Sequence, residues 1–558
     1  MVIPTDMRRI YLPHCIEKPM VFLLLCASIL FMATTVVAAE SDSNFKNGID
    51  NLLSSDFSDI EKGVELLGLS GDERANRVLS LLLNGELYRH KKENKLVTIV
   101  AKEGSKYTLA DLFSVNGETT PNVSKRKIKR VAINNNLRRQ IKTELALLNI
   151  ASADSAARYH AVQQMMGNID ADLYQRLSSK VETETDESVV NLMRTTLAIY
   201  DLQSSDTGIE QKRIALERLG DSYQPEARNA VIHFIETEQG GDKSLLKQAT
   251  NALALIEQRV TVADFAETLF FGLSLGSVLV LSAIGLAITF GVMGVINMAH
   301  GELMMLGAYT TYVIQTLMPN SISASIFVSI PAAFLVAAFV GILIERGVIR
   351  FLYGRPLETL LATFGISLIL QQTVRSVFSP LNRSVSTPEF MTGVIEINPL
   401  LSLTLNRLYI IAFCLIVFAV LFFILRYTRL GIEVRAVSQN RAMARAMGVR
   451  SEWVDAMTFG LGSGIAGIAG VALSQLTNVG PNLGQAYIID SFMVVVFGGV
   501  GNLWGTLVAG MSLGIANKIM EPWAGAVLAK ILVLIFIILF IQKKPRGLFP
   551  QKGRSAEG

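Results

Sequence analysis

Hydrophobic and polar positions follow different rules in the two halves of this chain. From Leu269 onward, uncharged runs follow one another with short polar loops between them. A hydrocarbon core about 30 Å thick takes roughly 20 helical residues. That template fits spans at 268–290, 302–318, 324–345, 358–378, 408–426, 455–477 and 524–541. From Glu40 to about Asp264 the sequence is charged, and its apolar residues recur with helical period. "SDIEKGVELLGLSGDERANRVLSLLLNG" and "EQKRIALERLGDSYQPEARNAVIHFIETE" each read as helix, turn, helix, with Gly71-Asp72 and Gly220-Asp221 at the turns. Such pairs stack, each burying its apolar face on the next. Between them "NKLVTIVAKEGSKYTLADLFSV" alternates with period two, which places a small β insert near 94–136.

The first 39 residues have the form of a secretory leader. Arg8, Arg9 and Lys18 precede an apolar run from Met20 to Met32, and Val37-Ala38-Ala39 matches a small-x-small cleavage site. The chain then divides into a signal peptide (1–39), an exported domain (40–264), a membrane domain (265–545) and a cytoplasmic tail (546–558). Two of the three cysteines, Cys15 and Cys26, fall in the leader, and Cys414 falls in a span. That pattern offers neither a disulfide framework nor a cysteine metal site. A net charge of +4 gives no argument for nucleic acid. His160 and His233 lie on separate predicted helices, so no catalytic constellation, metal set or cofactor motif is indicated. The basic run "SKRKIKRVAINNNLRR" reads as a solvated face.

Basic residues orient the loops. Arg346, Arg350 and Arg355 lie in one; Arg426, Arg429, Arg435, Arg441, Arg445 and Arg450 in another; Lys543, Lys544, Arg546, Lys552 and Arg554 in the tail. These three face the cytoplasm, which agrees with an exported N-terminal domain. Six spans from 268 to 477 bring the chain outside, and the last span must run inward to the tail. The stretch 490–518 must therefore begin and end outside. It is too short for two full crossings, so it reads as a re-entrant segment: a short helix to about Phe497, a turn through Gly498–Asn502, and a return. Irregular backbone at that depth survives only inside protein or against a water-filled cavity. The fold class is an all-α polytopic membrane protein, about seven spans plus a re-entrant segment, preceded by a mainly helical, repeat-like exported domain with a small β insert. Gly460-x-x-x-Gly464, Gly501-x-x-x-Gly505 and Gly510-x-x-x-Gly514 suit close helix packing.

One stretch breaks the apolar pattern. Leu269 to Met298 carries no charge over thirty residues; as one helix it would be about 45 Å long, too long for one crossing. The chain must break before Gly301, and Asn297, His300 and Glu302 sit at that break. Glu302 then falls at a new helix N-terminus, where a carboxylate is favoured. Ionisable groups inside a membrane are costly and mark pathways or hinges; a cytoplasmic helix cap is the plainer reading. Gln371 and Gln372 on a span, and Asn502 at the re-entrant turn, are the other polar candidates for a substrate pathway.

"GVINMAHGELMMLGAY" resembles the signature of the permeases of branched-chain amino-acid and urea ABC importers. "LATFGISLILQQTVRSVF" and "FGGVGNLWGTLVAG" agree with it, and the resemblance covers 264–549. The long extension before the first span points, within that family, to its urea permeases. The resemblance implies a transporter subunit, not an enzyme, in the bacterial inner membrane. Its partners would be a second permease subunit, two ATP-binding-cassette ATPase subunits and a periplasmic substrate-binding protein, with urea as substrate and no cofactor. The chain lacks a G-x-x-x-x-G-K-[ST] loop, so its energy must come from a partner. The loop "RYTRLGIEVRAVSQNRAMARAMGVRSEWV" resembles a coupling loop, with Arg441, Ala442, Ala444, Arg445 and Gly448 as candidate ATPase contacts. The glutamate usual before the alanines is missing. Branched-chain amino-acid import is the alternative reading, and a membrane receptor with an exported sensing domain is a third.

Overall fold

The computed structural model describes residues 42–549, apart from 92, 104–105, 113–118, 168 and 239–241. The expected leader and most of the tail lie outside the described residues. Two compact units divide at Ile256 and Glu257.

The first unit is mainly helical. Helix α1 (42–52) is followed by α2 (Phe57–Ser70) and α3 (Glu73–Asn84). The turn between α2 and α3 is the expected one: Gly71 takes a left-handed conformation with φ of 61°, and the Asp72 side chain caps α3 by accepting from Arg74 N. A five-stranded antiparallel sheet comes next, made of β1 (Tyr88–His90), β2 (Lys95–Glu103), β3 (Lys106–Asp111), β4 (Thr119–Ser124) and β5 (Ile128–Arg130), in the order β4-β3-β2-β1-β5. Edge strands β4 and β5 are joined only through the 3-10 turn Lys125–Lys127. Five flat strands would hold those edges about 19 Å apart, beyond the roughly 14 Å such a link can reach. The sheet therefore curls around Val97, Leu109, Val123 and Ile128. It begins at Tyr88 rather than near 94, because β1 is too short to show a period. Helices α4 (Asn135–Ile150), α5 (Ser155–Met165), α6 (Ala171–Val181), α7 (Glu187–Gln203), α8 (Ile209–Gly220) and α9 (Pro225–Thr237) complete the stack. His160 and His233 are exposed on α5 and α9.

The second unit is a helical membrane bundle. Its helices are α10 (Lys243–Met293), which begins in the first unit, α11 (His300–Leu317), α12 (Ile322–Gly347), α13 (Pro356–Phe378), α14 (Leu405–Tyr427), α17 (Ser451–Ser474), α18 (Leu483–Gly498) and α19 (Leu503–Lys543). Six of the described helices are long and apolar enough to cross a membrane, and α18 is a shorter apolar helix. The strands β6 (Val394–Asn398) and β7 (Leu401–Thr404) form a hairpin before α14, and α15 (Arg429–Gln439) and α16 (Arg441–Ala446) fill the basic loop. Gly525, with φ 75° and ψ 160°, breaks α19 into two helices. The short helix, turn and return expected over 490–518 are α18, Gly499–Asn502 and the first part of α19. The turn sits with the tail: Leu548 N donates to Phe497 O at 2.9 Å and Phe549 N to Gly498 O at 3.2 Å. The excursion thus extends to the tail end of the bundle.

Glycines set the packing of the central helices. A Cβ on Gly307 of α11 would collide with the backbone of Gly467 in α17, and one on Gly514 of α19 with Gly276 of α10. Missing side chains let these backbones touch, the usual way membrane helices associate without a hydrophobic drive. Gly460 and Gly464 of α17 instead receive the Ile342 and Phe334 side chains of α12.

Candidate functional site

The break after α10 builds the site. Asn297 Oδ1 accepts from Ala299 N at 3.0 Å, an Asx turn that reverses the chain before α11 starts at His300. Asn297, His300 and Glu302 are each about 1% exposed or less. They do not share one pocket, since residues two apart on a helix face nearly opposite ways. His300 faces α10, where its Nε2 donates to the Ser282 carbonyl at 2.8 Å. Glu302 faces α13, where its Oε1 accepts from Ser367 Oγ at 3.1 Å and Gln371 Nε2 at 2.7 Å. Thr363 Oγ1 accepts from Met298 N at 3.2 Å beside them. Four buried polar atoms here have no partner: Asn297 Nδ2, His300 Nδ1, Glu302 Oε2 and Tyr309 OH. A buried polar group without a partner is costly enough to call for an explanation, and a solute is one.

Of the six pathway candidates, four fall at the α10–α11–α13 junction: Asn297, His300, Glu302 and Gln371. Gln372, one residue further round α13, turns outward and is exposed. Asn502 is a helix cap, accepting from Gly505 N at 3.1 Å and donating to Phe549 O at 3.2 Å. Sequence reasoning passed over Thr363, Ser367 and Tyr309. It also passed over Asp490 of α18 and Lys530 of α19, which pair at 3.0 Å; charges inside apolar runs were the signal for them.

The basic loop has its own architecture. Helix α16 is capped by Asn440, which accepts from Met443 N, and ends before Gly448 at φ 88°. Arg441 pairs with Asp455 on α17 and lies 3.9 Å from the centroid of the Tyr353 ring. Arg445 Nε donates to Ser451 Oγ at 2.6 Å. Ala444 is buried beneath, whereas Ala442, Met443 and Met447 stand exposed. The helix is thus a bound knob with an apolar tip. Beside the loop a cavity of about 660 Å³ is lined by Val292, Arg426, Arg435, Ser438, Asn502 and Trp504, among others. It puts the C-terminal ends of α10 and α14, helix α15 and the N-terminus of α19 at one end of the bundle.

Residues 268–541 match the family described as the permease component of branched-chain amino acid transport systems. The membrane half is thus similar to that family of transport permeases. High-affinity branched-chain amino acid permeases named LivH, from Salmonella typhimurium and from Escherichia coli K12, are each 29% identical over 51% of this chain and 95% of their own length. BraD of Pseudomonas aeruginosa is also 29% identical, over 51% of this chain and 96% of its own length. No solved structure matches. Those alignments leave nearly half of this chain without a counterpart in the relatives. The match makes the chain a multi-pass transporter subunit rather than an enzyme.

Proposed function

We propose that this chain is the membrane permease of an ATP-driven importer in a bacterial inner membrane, with the first unit periplasmic and the tail cytoplasmic. One observation carries the reading: the exposed knob α16 is bound through Arg441–Asp455 to α17, and α17 interlocks with α11, which holds the buried carboxylate. A push on α16 therefore reaches Glu302 through packed helix. Two separate ATPase subunits would supply it, one seated on Ala442, Met443 and Met447 here and one on a second permease subunit. A periplasmic binding protein delivers the solute. Alternating access then follows from a tilt of the helices around the Glu302 cluster.

The named relatives put branched-chain amino acids first as substrates. Glu302 suits their ammonium, and Arg375, one turn beyond Gln371 on α13, suits their carboxylate. Urea is the second reading, and a specific observation favours it: the long first unit is absent from those amino-acid permeases. The neutral hydroxyls and amide around Glu302 also suit a planar solute with N–H donors and one carbonyl. The deciding experiment is uptake of labelled leucine and labelled urea in cells with this chain deleted and restored. Loss of leucine uptake alone supports the amino-acid reading, and loss of urea uptake alone supports urea. If neither changes, the importer reading is refuted.

A further inference from the structure

Helix α13 carries a polar residue at every fourth position: Thr359, Thr363, Ser367, Gln371 and Arg375. The row spans about 24 Å of helix but winds about 40° per step, so Thr363, Ser367 and Gln371 share a face about 80° wide while Thr359 and Arg375 lie off its two edges. The first four are 3% exposed or less, while Leu361 and Ile369, turned away from Ser367, are exposed. The middle of the row faces α11 and the turn just before it. Met298 N bonds Thr363, Glu302 bonds Ser367 and Gln371, and the Tyr309 and Phe378 rings lie 4.8 Å apart. At the outer end Arg375 donates to Asn482 Oδ1 at 2.7 Å.

The two sides of α11 are held by different physics. Against α17 it interlocks backbone to backbone through glycines. Against α13 the polar contacts are side-chain hydrogen bonds. Only 28% of the most apolar stretch of α13 is buried, against 83% for α17. Glycine packing cannot be replaced by a passing solute. Hydrogen bonds can be exchanged for others at little net cost. Glu302 Oε2 and Tyr309 OH are buried without partners on this side of α11.

We propose that the solute crosses along the seam between α11 and α13, and this rests on the transport reading. Glu302 is the central acceptor, and Thr363, Ser367 and Gln371 are successive hydrogen-bonding positions. Helix α13 parts from α11 as the solute passes, and the chemistry selects a small solute with adjacent N–H donors.

The test uses the complete transporter in proteoliposomes, with Cys15, Cys26 and Cys414 of this chain replaced by Ala. Tyr312→Cys and Phe378→Cys, whose native rings have centroids 6.4 Å apart, are joined by a short, reducible bifunctional thiol reagent. ATP-driven uptake should fall about tenfold or more on cross-linking and return on reduction. Undiminished uptake with the cross-link verified by mass would overturn the proposal. Thr363→Val keeps the shape and removes the hydroxyl. It should slow uptake about tenfold, the order of one hydrogen bond, beyond the modest fall in melting midpoint expected from leaving Met298 N without its acceptor. A lowered midpoint with normal uptake would instead make the ladder a packing device and sink the idea. If the reduced, unlinked protein moves neither leucine nor urea, the transport reading fails, and the seam with it.

Discussion

Asp455→Asn removes one charge and almost no volume. Asp455 is 6% exposed and its partner Arg441 20%, so the substitution strands a guanidinium in a largely dry place. Removing one member of a buried ion pair costs about 3–5 kcal/mol. Arg441 keeps the Tyr353 ring, a contact of about 1 kcal/mol, and its residual exposure lets water reach it. The net cost should be about 2 kcal/mol, read as a lower melting midpoint of the purified transporter. A second variant separates stability from coupling. Arg441→Met with Asp455→Leu removes both charges and should regain most of the lost stability, because a matched apolar pair has no stranded charge. It should not regain ATP-driven uptake or co-purification of the ATPase, since nothing then fixes α16 to α17 in one orientation. The reasoning is refuted if Asp455→Asn melts and transports like the parent, or if the double variant costs the sum of its two single changes.

Other outcomes follow from the same geometry. Glu302→Ala leaves Ser367 and Gln371 without their acceptor and should cost about 1–3 kcal/mol of stability; a solute-uptake assay should show at least a tenfold loss, with Glu302→Gln intermediate. Gly467→Val forces a branched side chain from α17 into Ala333 and Ala337 of α12; overpacking of about 1–3 kcal/mol or more should appear as loss of monodisperse protein in size-exclusion chromatography. In the first unit, burial pushes the Glu144 carboxyl up to about 7, with Glu65, Asp172 and Asp170 adding to the effect and Arg176 opposing it. A folded pKa above the unfolded value means the folded state binds more protons between about 4.5 and 7, so stability falls as pH rises through that window. Melting curves from pH 5 to 8 should show this, and Glu144→Gln should flatten the slope and stabilise the protein at pH 8 by about 2 kcal/mol.

The spans were legible because a bilayer imposes length and polarity together, and twenty apolar residues have few other uses. The break at Asn297 was legible for the same reason. Backbone chemistry was the blind spot. Asn502 looked like a pore residue because it is polar at membrane depth, but an Asn before a helix is first of all a cap. Gln371 and Gln372 looked equivalent, yet neighbours on a helix are about 100° apart and only one faces α11. The ladder on α13 was present at four-residue spacing, but hydroxyls are common in spans, and only the facing Glu302 gives theirs a meaning. Asp490 and Lys530 are forty positions apart, and only the fold makes them a pair.

The division of labour around α11 constrains where motion occurs. Helices α11, α12 and α17 interlock through glycines, so a tilt of one carries the others as a block. Helix α16 is tied to the base of that block at Asp455, and Arg350 and Glu452 pair at 2.9 Å beside it. Under the proposed coupling, force entering at α16 is therefore not absorbed between α17 and α11. It must appear at a boundary that yields, and the hydrogen-bonded face toward α13 is the one built from exchangeable contacts. A solute able to replace those contacts lowers the cost of opening the seam, whereas an apolar solute leaves Glu302, Ser367 and Gln371 stranded and raises it. On the proposed pathway selectivity and gating come from the same side chains, and a change at Gln371 that alters which solute is carried should alter the rate of opening as well.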